Sequence, residues 1–153
     1  MCDKIISRMI NQFNSLPAFW RYWVPVLIWA GLIFLASSLH QPLPSVVTKR
    51  DWDIATIHKI GHLVVYVTFG VLLFRAFLRA EQFPLWAAIL LAIGFAGAYA
   101  CGDEIHQYFV HGRGCAIEDV LLDSTSAITG VTVVGMVLVM KKRRMVERPQ
   151  TAA

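Results

Sequence analysis

The sequence predicts an all-α membrane protein in which a bundle of four helices crosses the bilayer. The 153 residues are 57% hydrophobic, above the roughly 45 to 50% that is usual for a soluble protein. The mean hydropathy is positive, and the apolar residues are gathered in long blocks rather than in short strand-like runs. A chain of this length holds one domain, so we expect a single helical unit built in lipid.

Four blocks approach the length of about 20 residues that a helix needs to cross the hydrocarbon core. They cover residues 22–39, 57–78, 84–101 and 117–140. The second and fourth blocks are apolar at one end and carry ionisable residues at the other. We expect residues 22–140 to form the membrane domain, with the second and third spans joined by a tight turn as an antiparallel hairpin.

Two short segments flank this domain. Residues 1–21 predict an amphipathic helix at the membrane surface, because apolar side chains recur there at helical spacing: Ile5, Ile6, Met9, Ile10, Phe13 and Leu16. Residues 141–153 predict a basic tail. A signal peptide over residues 1–38 is the alternative for the amino-terminal part; its removal would leave the later loops on the same sides of the membrane.

The basic residues are distributed unevenly between the two sides of the predicted bundle. The side with both termini has ten of them, namely Lys4, Arg8, Arg21, Arg75, Arg79, Lys141, Lys142, Arg143, Arg144 and Arg148. The other side has four, namely Lys49, Arg50, Lys59 and Arg113. By the positive-inside rule both termini are expected in the cytoplasm. This distribution also explains the net charge of +4 without a nucleic-acid partner.

The three cysteines do not require a disulfide framework. Cys2 is expected on the cytoplasmic side, and Cys101 and Cys115 are expected at or near the outer side. A Cys101–Cys115 pair remains an alternative in an oxidising compartment. The expectation is three free thiols.

Polar residues cluster at the outer ends of the last three spans. All five histidines and seven of the ten acids fall on that side, although ionisable groups are costly within a membrane and usually face a shared interior. His58, His62 and Tyr66 step by four along one helix, and Asp119 and Asp123 do so along another. Asp103 and Gln107 share a face of the third helix. We expect these faces to enclose an outward-facing polar cup.

Small residues continue the same faces toward the other side of the membrane. Gly70 follows Tyr66 on one helix, and Ala127 and Gly130 follow Asp123 on another. Small side chains let helix backbones approach closely in a membrane. The sequence therefore predicts three helices packed tightly below the polar cup.

The loop between the third and fourth spans contains His111-Gly112-Arg113-Gly114. Its glycines free the backbone to approach a ligand, and the Arg113 guanidinium can hold a phosphate or carboxylate through two parallel hydrogen bonds. The loop predicts an anion-binding element beside the cup.

These residues together form an extended pattern. One part is His58-Lys59-x-x-His62-x-x-x-Tyr66-x-x-x-Gly70, and the other is Glu104-x-x-Gln107-x-Phe109-x-x-Gly112-Arg113-x5-Asp119-x-x-x-Asp123. In this pattern, over residues 54–135, the chain resembles the VanZ-like family of bacterial membrane proteins. The family pattern generally has Asp in place of His58, Pro before the Gly-Arg pair, Asn in place of Asp123 and Gly in place of Ser126. The resemblance implies a cytoplasmic-membrane protein and, through the family's namesake, an effect on sensitivity to the glycopeptide antibiotic teicoplanin.

The function predicted from these residues is the binding of an anionic envelope lipid or a lipid-linked cell-wall precursor by its head group. No cofactor and no metal are expected, and the partners are the bilayer and that lipid. The predicted ligand-binding residues are His58, His62, Tyr66, Asp103, Glu104, Gln107, Arg113, Asp119 and Asp123.

Several alternatives remain at this point. One is a membrane-embedded hydrolase or transferase that uses His62 and Glu104 as an acid–base pair, with or without a metal. Another is a purely structural network in which Arg113 and Lys59 neutralise part of the acids. A zinc site on His58 and His62 has the right helical spacing, but Lys59 beside them opposes a cation. A nucleophilic serine near the acids is supported less well, because helical Ser and Thr usually bond back to the preceding turn. A channel or small transporter is also supported less well, because four short helices with polarity at one end offer no continuous polar path.

Overall fold

All regular elements within the described ranges are helices. The computed structural model describes residues 5–7, 15–39, 54–110 and 114–147. Residues 5–7 are helical, and the rest of the predicted surface helix lies mostly outside these ranges. The principal helices are α1 (Ala18–Ser37), α2 (Ile54–Arg79), α3 (Leu85–Tyr108) and α4 (Ile117–Glu147). All four are long and apolar enough to cross a membrane, which confirms the predicted fold class.

Contacts between helices show an up-and-down topology. Trp23 of α1 packs edge to face on Phe77 near the end of α2, with ring centroids 5.3 Å apart, so α1 and α2 are antiparallel. Near the other end of the bundle, Ser38 Oγ lies 2.9 Å from His106 Nε2 near the end of α3. We call the end where α2 and α4 begin the polar end, and the opposite end the basic end.

The turn between α2 and α3 is short, as the sequence predicts. Ala80 and Glu81 donate their backbone N–H groups to Ala76 O, at 2.8 and 3.4 Å. Gln82 adopts a left-handed φ of 54°, which reverses the chain ahead of Pro84. Trp23 Nε1 donates to Glu81 Oε1 at 2.9 Å, so α1 is attached to this turn at the basic end.

The outside of the bundle is apolar, as a lipid environment requires. Large apolar side chains stay more than half exposed on all four helices. They are Leu27, Leu32 and Leu35 on α1, Val64 on α2, Leu90 on α3, and Leu121 and Met136 on α4, among others. A soluble monomer rarely leaves apolar surface of this extent open to water. The surface therefore fits a bilayer.

The buried face of α3 is lined by small side chains. Ala88, Ala92, Ala96 and Ala100 recur at every fourth position and are fully buried. The same row ends at Glu104, whose side chain is 1% exposed. This row brings the neighbouring helices close to α3 and leads directly to the polar end.

The most extensive contact in the bundle joins α2 to α4, which are parallel. A Cβ added at Gly70 would lie 2.9 Å from Ala127 O, and one added at Gly130 would lie 2.8 Å from Val67 O. Only hydrogen fits at these two positions, because the neighbouring atoms are backbone carbonyls. The predicted close packing of small residues is confirmed.

Helix α1 is attached to α2 and α3 by two side-chain hydrogen bonds to backbone carbonyls. Trp29 Nε1 donates to Val65 O at 3.0 Å, and Tyr99 Oη donates to Ala30 O at 2.6 Å. Both bonds satisfy polar groups that would otherwise face apolar surroundings. They fix the height of α1 against the rest of the bundle.

The crossing of α2 and α4 predicts a strong effect of added volume. Gly70→Ala and Gly130→Ala should each destabilise the fold by about 1 to 3 kcal/mol, because the new methyl group meets backbone atoms that cannot give way. Thermal unfolding of the detergent-solubilised protein measures this as a lowered Tm. Gly94→Ala is the matched control, since a Cβ there meets nothing within 4 Å and alanine favours a helix. Equal Tm values for all three variants would contradict the packing described here.

Candidate functional site

Three carboxyl side chains and one amide are buried at the polar end. Asp103 is 6%, Glu104 1%, Gln107 5% and Asp123 0% exposed. Carboxylates are almost never buried to this degree unless they are paired. Their hydrogen bonds therefore decide what this end of the bundle can do.

Asp123 of α4 is paired with His62 of α2. His62 Nδ1 and Asp123 Oδ1 are 2.9 Å apart, and the His62 side chain keeps 17% of its surface exposed. With an ionised Asp123, Nδ1–H is the donor, so Nε2 is the acceptor nitrogen of the neutral ring. The pair connects the two helices one turn above the Ala127 contact.

Tyr66 lies one turn below His62 on α2. The two rings are nearly parallel, at 3° with centroids 6.5 Å apart, and Phe69 packs edge to face on Tyr66 at 6.3 Å. Tyr66 is 1% exposed. Aromatic packing on both sides holds this phenol in the interior of the bundle.

Glu104 of α3 caps the start of α4. Its Oε2 accepts a hydrogen bond from the Ala116 backbone N–H at 3.0 Å, and Ala116 O in turn accepts from Asp119 and Val120, the first bonds of α4. A carboxylate is favoured at a helix amino terminus, where unpaired N–H groups carry partial positive charge. Glu104 therefore ties the end of α3 to the start of α4.

Asp103 is held within its own helix. Gln107 Nε2 donates to Asp103 Oδ2 at 3.0 Å, as expected for two side chains one turn apart on the same face. The bond therefore restrains the Asp103 carboxylate through one of its two oxygens.

Each of the three buried carboxylates has one bonded oxygen and one that is not bonded. Within the described part of the chain, four buried polar atoms at this end lack a hydrogen-bond partner: Tyr66 Oη, Asp103 Oδ1, Glu104 Oε1 and Asp123 Oδ2. An unsatisfied buried polar atom costs about 1 to 3 kcal/mol. Such a concentration calls for a physical explanation.

The structure brings together most of the residues predicted for the cup. Tyr66, Asp103, Glu104, Gln107 and Asp123 are buried together at this end, and His62 joins them through its bond to Asp123. Asp119 lies one turn before Asp123 on α4 and is partly exposed. The His58 side chain and residues 111–113, including Arg113, lie outside the described part of the chain.

The catalytic alternatives can be compared with the hydrogen bonds that the structure shows. The structure pairs His62 with Asp123, whereas the predicted acid–base partner Glu104 bonds to the Ala116 backbone. Ser126 Oγ donates to Leu122 O at 2.6 Å, which is the local helical bond expected of such a residue.

In the described ranges, no three His, Cys, Asp or Glu side chains are placed to hold a metal ion. Cys101 and Cys115 are free and exposed.

Sequence reasoning did not identify three of the contacts near this cluster. Tyr99, whose hydroxyl donates to Ala30 O, lies one turn before Asp103 on the same face of α3, so helical spacing is a signal for its position. The hydrogen bond between Glu104 and Ala116 depends on how the connecting loop closes, which no periodicity reveals. His106 faces α1: its ring packs on Phe34 at an angle of 30°, with centroids 4.4 Å apart. Ser38 donates to Phe34 O at 2.7 Å, so its single hydroxyl proton is used and His106 Nε2–H is the donor to Ser38.

Of three comparisons with known proteins, one found a match. No curated protein and no solved structure gave a significant match. A family model described as VanZ/LLP1 matches residues 8–139, a range that includes all four membrane-spanning helices almost completely and every residue of the buried polar cluster. The chain therefore belongs to the VanZ/LLP1 family of membrane proteins.

Proposed function

We propose that this protein binds the head group of an anionic envelope lipid or of a lipid-linked cell-wall precursor at the polar end of its bundle. The observation that carries the proposal is the group of four buried polar atoms without partners, which belong to Tyr66, Asp103, Glu104 and Asp123. A purely structural network would have satisfied these atoms, because each one left unpaired weakens the fold. A ligand that pairs with them accounts for their presence.

The anionic part of the head group would be held outside the acid cluster. Arg113 stands between Gly112 and Gly114 in the loop that leads into α4, and a guanidinium is well suited to a phosphate. The amino termini of α2 and α4 both lie at this end, and helix amino termini favour anions. In this proposal, phosphate contacts the loop and the remainder of the head group reaches the helices.

We further propose that the polar end faces outward from the cytoplasmic membrane. The basic residues Arg75 and Arg79 lie near the end of α2, and residues 141–144 lie near the end of α4. The positive-inside rule places this basic end, and hence both termini, in the cytoplasm. A cup on the outer side is where lipid-linked cell-wall precursors and glycopeptide antibiotics meet, so binding there would change sensitivity to teicoplanin.

A membrane-embedded hydrolase or transferase is the second candidate. The hydrogen bond between His62 and Asp123 favours it, because a buried carboxylate that orients a partly exposed imidazole is the arrangement of a general base. In this reading His62 Nε2 takes a proton from water or from an acceptor hydroxyl as its oxygen attacks the lipid-linked phosphate. The bond from phosphorus to the leaving oxygen breaks, and Glu104, in its protonated form, gives its proton to that oxygen. Asp123 orients His62 and does not itself react.

Native cysteines allow the proposed orientation to be tested. Cys115 is exposed at the polar end, and Cys2 lies before α1. In intact spheroplasts, a membrane-impermeant maleimide should label a variant that keeps only Cys115 and should spare one that keeps only Cys2. Both variants should be labelled after permeabilisation, which is the control. Labelling of Cys2 alone in intact spheroplasts would reverse the proposed orientation.

Removal of the guanidinium tests anion binding. Arg113→Ala should lose co-purified anionic lipid in native mass spectrometry by about tenfold or more, because a charged hydrogen-bonded contact contributes roughly 1.5 to 3 kcal/mol. Arg144→Ala is the matched control, since it removes the same charge from an exposed position at the basic end. The inhibitory concentration of teicoplanin in a sensitive host should fall with Arg113→Ala and not with the control. Equal lipid retention in the two variants would overturn this role for Arg113.

The enzyme candidate makes a different prediction for Asp123→Asn. The amide removes the negative charge and can donate its N–H to His62 Nδ1, so it no longer fixes the His62 tautomer, and turnover should fall by about 10²-fold or more while bound lipid is retained. Release of phosphate from farnesyl diphosphate by the purified protein measures this. Glu118→Gln, at an exposed position of the same helix, is the control. Absence of phosphate release by the wild-type protein would count against hydrolysis of this substrate class.

A further inference from the structure

We propose that the head group is recognised through its hydrogen-bond donors, which are hydroxyl or ammonium groups that pair with Asp103, Glu104, Asp123 and Tyr66. This inference rests on the proposed function and narrows it. It predicts that a lipid with a phosphate alone binds poorly, and that a lipid whose phosphate carries a donor-bearing substituent binds well.

The first argument is the identity of the atoms without partners. Three of the four are carboxylate oxygens, Asp103 Oδ1, Glu104 Oε1 and Asp123 Oδ2, and an ionised carboxylate only accepts hydrogen bonds. A phosphate ester likewise offers acceptors and negative charge, so it is repelled by this set. Hydroxyl and ammonium groups supply the missing donors.

The second argument is that the three carboxylates are held in place by their other oxygen. Asp123 is fixed by His62, Glu104 by the Ala116 backbone and Asp103 by Gln107. The oxygens without partners are thus presented by side chains whose rotamers are already restrained. A ligand that meets restrained groups loses less conformational entropy on binding, which suits recognition better than a flexible acidic patch would.

The third argument concerns the size of the missing partner. In the described part of the chain, no three acidic, histidine or cysteine side chains converge on a point that would hold a metal ion. The oxygens come from α3 and α4, and the Tyr66 hydroxyl comes from α2. Several donors distributed over one organic group, such as a polyol or an amino alcohol, fit this arrangement better than a single bare cation.

The Tyr66 hydroxyl supports the same conclusion independently of the acids. It is 1% exposed and lacks a hydrogen-bond partner. A phenol donates one hydrogen bond and accepts others, so it can pair with a hydroxyl group in either direction. The site thereby combines charged acceptors with one group that both donates and accepts.

The main comparison in the test is between two lipids of equal charge. Phosphatidylglycerol has two hydroxyl groups on its head group, and phosphatidylmethanol has the same phosphate diester without them. In native mass spectrometry of protein exchanged into mixed micelles, the wild-type protein should retain phosphatidylglycerol about tenfold more than phosphatidylmethanol, the factor that corresponds to roughly 1.4 kcal/mol. Phosphatidylethanolamine in the same series reports on an ammonium donor.

Glu104→Gln is the diagnostic variant. The amide oxygen of Gln can still accept from the Ala116 N–H, so the capping contact is retained, while the other acceptor becomes a donor. The preference for phosphatidylglycerol should fall to near unity. Glu118→Gln, which removes one exposed acid from the same end, should keep the full preference. If Glu104→Gln fails to accumulate, Tyr66→Phe is the second variant. It removes only a hydroxyl and should reduce the preference for phosphatidylglycerol.

The outcomes separate this inference from the function on which it rests. A preference for phosphatidylglycerol identifies hydroxyl donors, and a preference for phosphatidylethanolamine identifies an ammonium donor; either supports the inference. Equal retention of all three lipids, or a preference for phosphatidylmethanol, overturns it while head-group binding stands. If none of the lipids is retained and Arg113→Ala changes nothing, both proposals are wrong.

Discussion

The close approach of α2 and α4 is the constraint on which the polar end depends. Helices in contact usually have axes about 8 to 10 Å apart, a separation that a short Asp side chain bridges with difficulty. At Gly70 and Gly130 the two backbones come near enough that a Cβ would meet a carbonyl oxygen. The contact between Gly70 and Ala127 lies about two turns from His62 and about one turn from Asp123, so these side chains reach each other directly. Added volume at either glycine would separate the pair without touching it.

Burial of the three acids at the polar end has a free-energy cost that their hydrogen bonds offset only in part. Asp103, Glu104 and Asp123 are buried near one end of membrane-spanning helices, where removal of a charge from water is costly. Each is compensated on one oxygen only. Apolar residues of similar volume would avoid this cost altogether. Local violations of polar satisfaction in natural proteins are expected mainly at functional sites, so the half-satisfied acids are better explained by a ligand than by stability.

The sequence predicts the architecture more completely than the connections within the cluster. Block length and hydropathy are sufficient for the four helices, since the backbone in lipid must satisfy its own hydrogen bonds. The four-residue spacing of His62, Tyr66 and Gly70 predicts a shared face, because helical periodicity fixes it. Periodicity alone does not say which of several acids meets His62, since that depends on the relative height of two helices. The cap that Glu104 provides for α4 is set by loop closure and has no signal in the spacing. The domain boundaries and the roles of His58 and Arg113 stay predictions.

The exposure of the cluster bears on the choice between binding and catalysis. Hydrolysis requires a water molecule beside the base, and transfer requires an acceptor there. Tyr66, Glu104 and Asp123 are closed to solvent in this conformation, whereas the His62 side chain retains 17% of its surface. Any chemistry would therefore begin at His62, on the solvent side of the cluster. The three acids below it each hold one oxygen in a hydrogen bond, so they are placed to orient a bound group rather than to activate water. Head-group binding uses all four atoms without partners, while the acid–base mechanism uses Glu104 Oε1 and leaves the oxygens of Asp103 and Asp123 unexplained. For this reason the binding function accounts for more of the structure.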